Sequence, residues 1–242
     1  MNRPRIPTLA LLGLLTLSTG CQNTGPGRRT VAGPLDDGLL QFVDEGARDR
    51  IRTARIEHIE AQDATAAAEF LEKASRGRRR TLSADVRAAA KRLKDEERRV
   101  AQAVRDGDVA RAEASSGDVQ EARDELASYE RAAELQEAQS AELRALVALE
   151  RAEESHALAV IDLFKARALL GTGRPDTADI DLALYERVER ERETQIELAK
   201  TVLRAAQREL HIAETDASAP VEVGAPRDAA VESVDDAPGG GR

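Results

Sequence analysis

The chain of 242 residues has no tryptophan, two tyrosines, three phenylalanines and a single cysteine. Aromatics at 2% leave too little bulk for the thick core of a compact enzyme; two packed helices need only a narrow seam of Ala, Leu and Val. One thiol excludes an internal disulfide framework and any cysteine-rich metal site. Positive charge is outweighed as well. A net charge of −9 argues against nucleic acid as a partner, because phosphates demand a basic surface. Arg76, Arg78, Arg79 and Arg80 are the local exception; flanked by acids, they read as a solvated helix end or turn. No stretch alternates apolar and polar residues for long enough to predict a strand. The apolar run Leu9 to Leu17 would cover only about 14 Å as helix, half of a ~30 Å bilayer interior, so it is too short to span a membrane.

What the chain does have is charge of both signs and helix formers. Charged residues reach 33%, and Ala, Glu, Arg and Leu dominate the middle, which is the composition of long helices and coiled coils.

The N-terminus carries the sharpest signal. Arg3 and Arg5, with no acid among the first seven residues, precede the apolar run, an arrangement expected of a cleaved export signal. The segment then reads Leu17-Ser18-Thr19-Gly20-Cys21 and resembles the lipobox of bacterial lipoproteins. That family usually has Leu three residues before the cysteine; here the place holds Ser18, with Leu17 one step earlier. The resemblance implies cleavage before Cys21 and attachment of a diacylglycerol group to its sulfur. At ~0.8 kcal/mol per buried methylene, two or three acyl chains would hold the protein durably. Residue 22 is Gln. In Gram-negative lipoproteins Asp at that place signals inner-membrane retention, so the resemblance places this chain on the outer membrane, facing the periplasm.

Residues 22–34 are broken by Gly and Pro and show no periodicity, as expected of a flexible tether. A first helix is predicted from Asp36–Asp37, with Leu40, Val43, Ala47, Ile51 and Ala54 on one stripe, running to about Ala74 before Gly77. A second is expected from Ser83 as N-cap, with Val86, Ala90, Leu93, Val100 and Val104 on its face and a weak point at Gly107-Asp108. Ser115-Ser116-Gly117-Asp118 reads as the next break. From there to Gly171 no Gly or Pro intervenes, and Val119, Ala122, Leu126, Tyr129 and Ala133 keep the rhythm of three and four. Leu143, Leu146, Ala157, Val160, Phe164 and Ala168 resume it. A helix of about 80 Å would result, which suggests a coiled coil or extended bundle. Gly171-Thr172-Gly173-Arg174-Pro175-Asp176 is a turn signal, with Asp176 or Thr177 as the next cap. The final helix shows the cleanest seam: Tyr185, Val188, Arg192, Ile196, Ala199, Leu203, Ala206, Leu210 and Ala213. So short a connection makes the last two helices antiparallel neighbours.

The expectation is an all-α fold of long antiparallel helical hairpins, coiled-coil-like. Residues 1–20 form the signal peptide, 21–35 a lipidated tether, 36–214 the helical body and 215–242 a disordered acidic tail rich in Pro and Gly.

No chemistry converges along the chain. His58, His156 and His211 lie far apart, none with a second His four residues on, and carboxylates are too widespread to mark an acid–base pair. Gly171-Thr172-Gly173 is too short for a phosphate cradle and follows a helix. No catalytic residue, metal ligand or cofactor is expected; the lipid site Cys21 is the candidate that remains. Partners are a membrane, reached through the lipid, and proteins or further copies of the chain, reached through helix seams.

Two stretches resemble helical parts of TolC-like outer-membrane efflux proteins. Ser83-Ala84-Asp85-Val86-Arg87-Ala88-Ala89-Ala90-Lys91-Arg92-Leu93 is similar to the start of a long periplasmic helix in that family. Ala159-Val160-Ile161-Asp162-Leu163-Phe164-Lys165-Ala166-Arg167-Ala168-Leu169-Leu170-Gly171 is similar to a helix ending there. The likeness covers residues 80–173, and members are often lipid-anchored. It implies an envelope transport component, reduced in size, since full members are longer and carry strands that jointly close a barrel. A structural scaffold without a transport role is the alternative.

Overall fold

The computed structural model describes residues 35–218. Three helices make up nearly all of it: α1 (Glu45–Arg105), α2 (Val109–Gly171) and α3 (Leu182–Ser218). No strand occurs among the described residues, and the all-α expectation holds. At 1.5 Å per residue, α1 and α2 are each more than 90 Å long, about 92 and 95 Å, and α3 is about 55 Å.

Each reversal follows from local chemistry. At the end of α1 the amide of Asp108 donates to the Ala103 carbonyl (3.0 Å) and that of Gly107 to Val104 (3.2 Å). This paired closure needs a left-handed residue, which Gly107 supplies at φ +72°. Asp108 then caps α2, its Oδ1 accepting from the Arg111 amide at 3.0 Å. One helix therefore stops and the next starts within three residues. At the far end Gly173, at φ +65°, donates to the Leu170 carbonyl. The chain next makes a short 3-10 helix, Pro175–Thr177, so neither Asp176 nor Thr177 caps α3, which begins at Leu182.

α2 is the central member, packed against both α1 and α3, while α1 and α3 barely meet. The residues of α1 turned toward α2 recur at strict steps of four and three. Ala47, Ile51, Ala54, His58, Ala61 and Thr65 open the series, and Leu82, Val86, Ala89, Leu93, Glu96 and Val100 carry it onward. That average of 3.5 residues keeps one face on a partner over the whole helix. α2 carries two such faces. Val119, Ala122, Leu126 and Tyr129 belong to the first, while Ala145, Leu149, Ala159, Leu163 and Ala166 belong to the second, toward α3. In α3 every residue of the expected seam, from Tyr185 to Ala213, is buried or half-buried.

The pairing between α1 and α2 is antiparallel and in one register throughout. Glu69 meets Arg151 (2.6 Å), Ser75 meets Ser140 (2.7 Å), Arg79 meets Glu137 (3.0 Å), Arg92 meets Glu125 (2.6 Å) and Glu97 meets Arg123 (3.2 Å). From the first pair to the last, α1 advances by 28 residues and α2 falls back by the same 28.

Several expected boundaries differ. α1 runs unbroken through Gly77 and Ser83, and α2 through Ser115 to Asp118. Both glycines are exposed, and a mid-helix glycine costs only ~1 kcal/mol, less than the continuous seam supplies. Ala89 and Ala103 are buried where Ala90 and Val104 were expected. The first helix does not begin at Asp36–Asp37. Asp36 instead caps a 3-10 helix, Asp37–Phe42, and Asp44 caps α1 through its 2.8 Å bond from the Ala47 amide. Leu40, from this separate element, and Val43, the residue just after it, still reach the core beside Ala47. α3 extends past residue 214 to Ser218.

Candidate functional site

Cys21, with the expected signal segment, lipidated tether and most of the acidic tail, lies outside the described residues. The described chain starts at Leu35, at the end of the molecule away from the Gly107 turn. The roughly 14 residues from Cys21 could span at most about 50 Å.

This base is well braced. Leu35, Leu39 and Leu40 pack with Val43, Ala47, Leu169 and Ile180. Asp37 ties the 3-10 helix to both long helices, taking Lys165 Nζ at 2.7 Å on one oxygen and Arg55 at 2.7 Å on the other. The hydrogen bond from Lys165, above all, holds its carboxyl below the ordinary value. Asp162, half-buried on the same turn of α2, is pushed upward by burial against the pull of Lys165. The Arg174 guanidinium lies 3.8 Å over the Phe42 ring. Beside it a shallow groove of about 510 Å³ is lined by Phe42, Asp44, Phe164, Arg167 and Thr172. It holds neither a nucleophile with a base nor converging carboxylates.

A second feature is a polar layer inside the α1–α2 seam. Ser75 and Ser140 share a hydrogen bond of 2.7 Å, Gln136 Nε2 donates to Ser75 Oγ at 3.0 Å, and Ser140 Oγ also donates to the Gln136 carbonyl at 2.8 Å. Glu72, one turn away, is 9% exposed and paired with Arg76. The Ser75, Gln136 and Ser140 side chains are buried inside the seam, so their bonds form in one alignment of the helices. Sequence reasoning missed this layer, because polar residues at seam positions look like breaks in the rhythm.

The expected bystanders stay apart. His58 is half-buried on the α1 face toward α2, His211 is exposed on α3, and His156 approaches Glu189 at 3.5 Å across the α2–α3 seam. No group of three metal-ligating side chains occurs among the described residues. Arg76, Arg78, Arg79 and Arg80 are all exposed, in the middle of α1 rather than at a helix end. Arg79 is tied to Glu137, where burial works to raise the carboxyl but Arg79 and Arg144 outweigh it and hold it low.

No described helix is long and apolar enough to cross a membrane. No protein-family description, curated protein or solved structure matches the chain.

Proposed function

We propose that this protein is a lipid-anchored component of the bacterial envelope, attached through Cys21 to the outer membrane and facing the periplasm. Its long hairpin acts as a spacer or scaffold for protein partners, and we assign it no catalytic role. The observation that carries this reading is the run Leu17-Ser18-Thr19-Gly20-Cys21, ending on the only cysteine and following a short apolar segment. The body supports it in kind. A rigid hairpin of about 95 Å, with its base next to the tether, extends protein contacts far from an anchor. The faces toward α2 are occupied within the chain, so partners would meet the outer surfaces of α1 and α3.

Mass spectrometry of membrane-extracted protein tests the anchor. The expected N-terminal residue is Cys21 bearing diacylglycerol, and Cys21→Ser should release the protein from membranes. An unmodified thiol on protein that remains membrane-bound would remove the anchor.

The TolC-like resemblance favours a narrower second reading, a reduced efflux component. The stretch Ala159–Gly171 does close a long helix at Gly171, in keeping with that likeness, but Ser83 lies within α1 rather than at a helix start. Transport predicts that deleting the gene raises sensitivity to toxic compounds and that the protein co-purifies with an inner-membrane pump. A scaffold predicts altered envelope shape or detergent sensitivity with drug export unchanged.

A further inference from the structure

The side of α1 turned away from α2 keeps its own rhythm of three and four, and its chemistry changes along the helix. Nearest the base it presents Ile56, Ile59 and Phe70, with exposures of 52, 56 and 71%. Beyond Gly77 the same stripe becomes Arg80, Arg87, Lys91, Lys94, Arg98 and Arg105, all exposed. These six cations extend over about 38 Å. Arg98 is paired only with its neighbour Asp95, at 3.4 Å, and the other five form no ion pair among the described residues. From Ile56 onward the stripe holds one acid, Asp63. Residues 76–105 contain eleven Lys or Arg against four Asp or Glu, within a chain whose overall charge is −9. Such segregation places positive potential on one ridge of an acidic protein.

We infer that this outer face of α1 is a docking surface for an anionic phospholipid membrane. The cations of the distal half meet headgroup phosphates, each adding to the attraction toward a negatively charged surface. Ile56, Ile59 and Phe70 enter the boundary between headgroups and acyl chains, as apolar residues of interfacial helices do. Charge complementarity selects the occupant. A nucleic acid or other polyanion would use the cations and leave the three large apolar side chains idle. A second copy would need an exposed acidic stripe of matching length. The outer stripe of distal α2 carries Glu113, Asp124 and Glu134, but Gly117, Gln120, Ala127 and Arg131 fill its other positions, so it offers three acids and a cation where six cations need matching. With the tether leaving the same base, the hairpin would lie along the bilayer rather than project from it, so its reach runs parallel to the membrane and α3 is the outer surface left for protein partners; this specifies the orientation of the anchored protein proposed above.

The test uses the mature chain from residue 21 in its Cys21→Ser form, so that no acyl chain contributes and loss of the anchor reading cannot be mistaken for loss of this one. Flotation with vesicles of phosphatidylcholine containing about one-third phosphatidylglycerol should show binding that weakens as salt rises. Pure phosphatidylcholine vesicles should bind far less. Arg87→Gln/Lys91→Gln/Lys94→Gln, all at exposed positions that leave the fold intact by circular dichroism, should weaken binding at least tenfold. Ile59→Ser/Phe70→Ser should weaken it while keeping the salt dependence. Equal binding by the triple variant, or indifference to phosphatidylglycerol, would overturn the assignment. So would tight binding to duplex DNA that Ile59→Ser/Phe70→Ser leaves unchanged, because a polyanion would then own the ridge.

Discussion

Thr65 sits on the α1 face toward α2 at 7% exposure, and its hydroxyl has no hydrogen-bond partner among the described residues. A buried hydroxyl without a partner carries a desolvation cost, while valine has the same shape without it. Thr65→Val should therefore raise stability by about 1 kcal/mol, read from urea or thermal unfolding. Ser75→Ala should act in the opposite direction, by a similar amount, because it strips Gln136 Nε2 of its acceptor. Asp162 gives a pH-dependent case. Its carboxyl is raised in the folded protein, so protonation favours folding, and the stability it contributes is present at low pH and lost as pH rises through the folded value. Asp162→Asn should accordingly raise the melting temperature at neutral pH, with the difference from the unsubstituted chain shrinking as pH falls through the carboxylate range. None of these residues was legible beforehand. Tyr185, Ile196 and Ala206 announce themselves by apolar spacing, whereas Thr65, Glu72, Ser75, Gln136 and Ser140 are polar and count against the pattern they belong to. Their burial follows from the uninterrupted 3.5-residue rhythm on either side, a property visible only over many turns.

Among the elements, glycine alone was a poor guide to where helices end. Gly107 and Gly171-Thr172-Gly173 do mark reversals, Gly107 and Gly173 with positive φ, but Gly77 and Gly117 lie within helices, exposed, with nothing within 4 Å of where a Cβ would stand. The difference is in the neighbours. Gly107 lies between Asp106 and the N-cap Asp108, which together close one helix and open the next, while Gly77 and Gly117 have seam residues in phase before and after them. The same reasoning sets the expected sign of substitution. Gly77→Ala and Gly117→Ala should each stabilise by about 0.5–1 kcal/mol, since alanine costs less backbone entropy in a helix. They lie on different helices, far apart in the register, so their effects should add. Gly107→Ala should destabilise by about 1–2 kcal/mol, the cost of a Cβ in the left-handed region. Urea midpoints of the three variants check this, and a loss at Gly77 would mean that the helix is not continuous there.

At the scale of the whole molecule, composition and spacing already implied slender antiparallel helices, but not which faces pair or in what alignment. That alignment arises from two sources. The basic distal half of α1 lies against a stretch of α2, residues 109–137, with eight Asp or Glu against three Lys or Arg, and the pairs Arg79–Glu137, Arg92–Glu125 and Arg123–Glu97 join them. Each exposed pair is worth at most about 1 kcal/mol and would tolerate a shift, because acids recur along α2. The Ser75–Gln136–Ser140 layer would not tolerate one, since sliding by a heptad would set Ser75 against Ala133 or Val147 and Ser140 against Ala68 or Leu82. A cross-link separates the fixed register from a sliding one. In a Cys21→Ser background, Ser75→Cys/Ser140→Cys should oxidise to an intramolecular disulfide, raising electrophoretic mobility and stabilising the chain by up to about 4 kcal/mol. Ser75→Cys/Ala133→Cys moves one thiol two turns along α2, about 10 Å, beyond the reach of a disulfide, and should remain reduced. If both pairs close equally well, the helices slide past one another, and the polar layer does not set their alignment. Closure of the first pair alone leaves the layer as the element that holds two helices of more than sixty residues to a single register.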